Sequence, residues 1–159
     1  MSTTVQTLDD DRMQSALTVI VLRLTTLGAV LVPLAGLVAA MKRGQPLAGG
    51  GLPPDHSADW LVRVITPGAH PLEEMAVRIA LLNGYTAGAL LRELEEDPRS
   101  LHLAVKQTLA EQPETVKLLL VVDQFEELFT LHPPGVQARF AELLGRLAKE
   151  ADVRVLLSL

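Results

Sequence analysis

Three carboxylates close together carry the strongest chemical signal in the chain. Asp123, Glu126 and Glu127 directly follow the apolar run Leu118-Leu119-Leu120-Val121-Val122. An Asp at a strand end, with acids three and four residues on, can hold the water shell of a hard cation such as Mg²⁺ and polarise an attacking water. In an open parallel sheet this position faces the ligand crevice, which lies outside the carboxyl ends of the strands. The spacing has a second reading. Asp123 could cap the following helix, with Glu126 as its reciprocal partner, in a capping box with Asp in the Ser/Thr place. The two readings are compatible, and spacing does not choose between them.

No other group of residues competes with these acids. The four histidines, His56, His70, His102 and His132, are scattered, with no pair at metal-ligand spacing. Ser158 lacks the G-x-S-x-G context of a hydrolase nucleophile. Gly49-Gly50-Gly51 has no strand before it and Pro53-Pro54 after it, so it reads as a loop rather than a phosphate cradle. Glu93, Glu95 and Glu96 read as a solvated helix end, Trp60 as core, and Arg23 as a strand-end charge reaching solvent. There are no cysteines, which removes disulfides and thiolate chemistry and fits a reducing, cytoplasmic setting.

The elements that must position the acids follow from periodicity. Leu17–Leu22, Trp60–Ile65, Val116–Val122 and Val153–Leu159 read as short, continuously apolar strands. Between them, helices are predicted at Val30–Met41, Pro71–Leu82, Thr86–Glu96, Asp97–Glu111, Gln124–Leu131 and 135–150. Pro71 suits a first turn, and Asp97-Pro98 reads as a cap followed by a first turn. Buried strands alternating with helices predict an α/β domain with a mostly parallel sheet covered on both faces. A chain of 159 residues suits one such domain. Residues 1–14 are polar and are expected to be flexible, leaving 15–159 as the folded part.

The chain is 48% apolar and 21% charged, with a net charge of −5. No basic face stands out, which argues against nucleic acid as a partner. The segment 16–41 is different. Leu24–Met41 is an uncharged run of 18 residues followed by Lys42 and Arg43, the short end of a membrane span with a basic flank. The competing reading is a buried strand followed by a buried helix, because Gly28, Pro33 and Gly36 interrupt the run.

The segment Leu118–Thr130, LLLVVDQFEELFT, resembles the Walker B region of the novel STAND NTPases, P-loop signalling ATPases of bacterial multidomain proteins. Ala35–Gly44 is similar to the helix after that family's P-loop, and Asp59–Leu72 to its second strand and turn. The resemblance covers about Ala35–Leu159. It implies a three-layer P-loop NTPase-like fold, Mg²⁺ and ATP as ligands, and other protein domains or self-association as partners. Carried over by position, Asp123 is the Mg²⁺-associated acid, and Glu126 and Glu127 are the candidates for polarising the attacking water.

The departure lies upstream. A P-loop needs G-x-x-x-x-G-K-[ST], whose backbone N–H groups, Lys and hydroxyl hold the phosphates and Mg²⁺. Gly28 falls near the last P-loop glycine, but Ala29 then stands at the lysine position and Val30 at the hydroxyl position. No Gly-Lys-Ser or Gly-Lys-Thr occurs in the chain. The expectation is a partial module, truncated at the C-terminal edge of its sheet, with weak or no ATP hydrolysis. The alternative is a non-catalytic interaction module anchored through residues 24–41 and facing the cytoplasm.

Overall fold

A computed structural model describes residues 5–6, 19–22, 31–47, 51–151 and 153–158. In chain order the elements are β1 (Val5–Gln6), β2 (Val19–Leu22), α1 (Leu31–Arg43), β3 (Leu61–Ile65), α2 (Pro71–Asn83), α3 (Ala87–Glu96), α4 (Ser100–Ala110), β4 (Leu118–Val122), α5 (Glu127–Leu131), α6 (Pro134–Glu150) and β5 (Arg154–Ser158). A 3₁₀ turn at Ser57–Asp59 precedes β3. The strands form one sheet in the order β1-β2-β5-β4-β3. β2, β5, β4 and β3 are parallel, and β1 joins β2 antiparallel.

All five residues of β4 are buried, so both faces of the sheet must be covered there. The pleat divides the work. Leu118, Leu120 and Val122 point into a large core with Ile65 and Val155, filled by Met75 and Ile79 of α2, Leu90 of α3, Val105 of α4, and Phe140 and Leu147 of α6. Leu119 and Val121 point the other way, with Leu156, onto Met41 of α1 and Trp60. Helices therefore cover both faces, α1 on one and α2–α6 on the other.

The apolar N-terminal segment resolves into separate elements where it is described. β2 occupies 19–22, and α1 begins at Leu31 and has 13 residues. Among the described residues no helix is long and apolar enough to cross a membrane, which takes about 20 residues. Lys42, expected as part of a basic flank, instead donates from Nζ to the carbonyls of Ala58 (2.8 Å) and Trp60. It fastens α1 to the entry of β3. Gly28 and Arg23 lie outside the described residues.

Two other expectations change. Asp97 does not begin α4. It ends α3, and the next helix starts at Ser100. Its carboxylate accepts from the backbone N–H of Arg99 (2.9 Å) and from that residue's Nε (3.1 and 3.2 Å). These bonds hold the Asp97 carboxyl below its usual range. Likewise α5 starts at Glu127, not at Gln124. β5 lies inside the sheet between β2 and β4, so among the described strands the edges are β1 and β3.

Candidate functional site

Asp123 continues β4 by one residue. Its N–H donates to Ile65 O at 2.8 Å, extending the ladder with β3. Its side chain is 6% exposed. The chain then leaves the sheet sharply, because Gln124 takes a left-handed conformation at φ 53°. That region is uncommon for a residue with a Cβ, and such outliers cluster at functional sites. Asp123 Oδ1 accepts from Gln124 N (3.1 Å), and Phe125 N donates to Ser158 O (2.9 Å). The turn after β4 is thus tied to the carboxyl end of β5.

This geometry removes the capping-box reading. A helix cap needs the following residues in helical conformation, and the left-handed Gln124 forbids that. Glu126 is itself the cap residue of α5, with no side-chain capping bond. Its carbonyl receives the N–H groups of Phe129 (3.1 Å) and Thr130 (3.2 Å). The Glu126 side chain is exposed, and among the described residues no hydrogen bond or ion pair engages its carboxylate.

Glu127 differs from its neighbour. It is half-buried, and its Oε2 accepts from Gly68 N at 3.3 Å. Gly68 lies in the turn after β3, at φ 49°. Its carbonyl meets His132 Nε2 at 2.6 Å. A carbonyl only accepts, so Nε2 carries the proton. His132 is held in turn by Gln137 Nε2, which donates to the His132 carbonyl at 2.7 Å. Gly68 of the β3–α2 turn is therefore held at both its N–H and its C=O, by Glu127 of α5 and by His132 at the end of α5. No local signal in the sequence ties this turn to His132.

The site faces the carboxyl ends of β3, β4 and β5. The adjacent strands β2 and β5 are served by helices on opposite faces, α1 after β2 and α6 before β5, and such a switch point is where a parallel sheet opens a ligand crevice. A cleft of about 450 Å³ elsewhere, bounded by Leu72, Leu91, Leu94 and Leu143, includes none of the three acids. Among the described residues no group of three His, Cys, Asp or Glu side chains could hold a metal ion. Asp123 offers one buried carboxylate with Oδ1 on a backbone amide. That suits a hard cation that takes most of its oxygens from water and substrate phosphates, and fits no site built wholly from protein ligands.

The family described as Novel STAND NTPase 1 matches residues 30–159. The chain belongs to this family. No curated protein and no solved structure matches it. Within the novel STAND NTPase match lie Asp123, Glu126, Glu127, Gly68 and His132. Gly28, at the expected end of the phosphate-binding loop, precedes the match.

Proposed function

We propose that the chain is a novel STAND NTPase module that keeps the Mg²⁺-side acids and has lost the phosphate-binding loop, so that it binds ATP weakly and hydrolyses it slowly or not at all. The observation that carries this reading is the buried Asp123 at the carboxyl end of β4, combined with the lack of any Gly-Lys-Ser or Gly-Lys-Thr string. The family match beginning at residue 30 adds support, because the loop would precede it.

In this reading Asp123 orients the water shell of Mg²⁺. The ion, when bound with nucleotide, supplies charge neutralisation at the β- and γ-phosphate oxygens. Glu126, with a free carboxylate, is the residue placed to accept a proton from an attacking water. Glu127 holds the β3–α2 turn through Gly68 and is a positioning residue. Ala29 and Val30 stand where a lysine and a hydroxyl would meet the phosphates. Without that charge most of the transition-state stabilisation is missing. The partners would be other protein domains or further copies of the chain. The membrane-anchored alternative rests on the hydropathy of residues 24–41, and the docking of α1 through Met41 and Lys42 speaks against it.

Titration of the purified protein with Mg²⁺·ATP by calorimetry, with Asp123→Asn as control, tests this proposal. The expected result is a Kd near or above a millimolar, about −4 kcal/mol or weaker, raised further by the substitution. A micromolar Kd would show that another group replaces the missing lysine.

A further inference from the structure

Ser158 ends β5 at 1% exposure, and among the described residues its hydroxyl has no hydrogen-bond partner. A buried hydroxyl left unpaired is destabilising, and in a native protein such a group calls for an explanation. Two observations place it. β4 and β5 are paired with Val121 beside Leu156 and Val122 beside Leu157, so one step further sets Asp123 beside Ser158, on strands about 4.8 Å apart. Side chains also alternate along each strand. Val121 and Leu156 both face the α1 side, and two residues on, Asp123 and Ser158 face it too. On its other flank Ser158 pairs with Leu22, the last residue of β2.

We propose that the Ser158 hydroxyl is a second protein oxygen of the divalent-cation site begun by Asp123. This rests on the reading of Asp123 as a cation-site acid. A hydroxyl and a carboxylate side by side form a pair of hard oxygen donors, the ligand type that Mg²⁺ and Mn²⁺ accept. The Phe125 N–H bond to Ser158 O fixes the two donors relative to each other through the backbone. The serine side chain has one rotatable bond, so little entropy is lost when its oxygen turns to the ion or to an ion-bound water.

Mn²⁺ alone is the probe, followed by paramagnetic broadening of the Gln124 and Phe125 amide signals in the full chain. Wild type, Ser158→Ala, Ser158→Thr and Asp123→Asn are compared, each with its thermal unfolding midpoint. Ser158→Ala is expected to raise the Mn²⁺ Kd about tenfold, the size seen when a supporting ligand is lost. Its midpoint should be unchanged or higher, because the unpaired hydroxyl is gone. Ser158→Thr should keep the affinity. Unchanged Mn²⁺ binding in Ser158→Ala, with loss in Asp123→Asn, would overturn the role of Ser158 and leave the Asp123 reading intact. Broadening that is absent in wild type, or equal in wild type and Asp123→Asn, would overturn both. A lowered midpoint in Ser158→Ala would mark the hydroxyl as structural and would also overturn the proposal.

Discussion

Glu126 and Glu127 are neighbours of the same type with different surroundings. One carboxylate is exposed and free, while the other is half-buried on the Gly68 amide. Their roles separate by contact, not by chemistry. The grip on Gly68 can be tested one jaw at a time. His132→Ala removes the donor to the Gly68 carbonyl and should cost about 1 kcal/mol in urea unfolding. It should also speed hydrogen exchange at the Gly68 amide, because the turn is freed from α5. Glu127→Gln keeps an acceptor oxygen and should cost less. Unchanged exchange at Gly68 in His132→Ala would show that the turn is held by other contacts. None of this was legible in the sequence. Asp123 announced itself by following five apolar residues, and it does stand at a strand end. The bond between His132 and Gly68 joins residues 64 apart, and no periodicity records such a contact.

At the scale of elements, strands were easier to read than helix starts. β3, β4 and β5 lie within two residues of their expected bounds, because a short apolar run between turn residues has few other uses. Helix starts failed where a capping residue served another purpose. Asp97 has the residue type of a cap, yet it bonds Arg99 two residues on and closes α3. Asp123 has it too, yet the left-handed Gln124 delays the helix to Glu127. In both cases a short acidic side chain bonds nearby backbone, a competition that residue type alone does not decide. The Asp97 contact has a pH signature. Its folded pKa lies below the unfolded one, so the contribution to stability is present above the ordinary carboxylate range, near pH 4, and is lost as pH falls through the lowered value. Asp97→Asn should flatten the acid limb of a urea-midpoint profile between about pH 2 and 5. The effect should be small and weakened by salt, since both partners are exposed. An identical acid limb in the variant would remove Asp97 from the account of acid stability.

For the whole molecule, fold class and the covering of both sheet faces were legible, because β4 is too apolar to face water on either side. Strand order was not. Parallel strands joined by helices admit several orders, and the sequence does not show that β5 enters between β2 and β4. That insertion brings Ser158 beside Asp123 and closes the site on one flank. In the proposed reading, Ala29 and Val30 stand at the sequence positions where a phosphate-binding loop carries a lysine and a hydroxyl. On that proposal the chain would orient a cation through Asp123 but lack the charge that stabilises phosphoryl transfer.

The most direct measurement is steady-state ATP hydrolysis by the purified chain at saturating Mg²⁺, with Asp123→Asn measured beside it. Turnover below about 0.1 per second is predicted, against roughly 1–10³ per second for ordinary enzymes. Turnover clearly above that value, abolished by Asp123→Asn, would contradict the central claim and mean that the site is live without a conventional P-loop lysine.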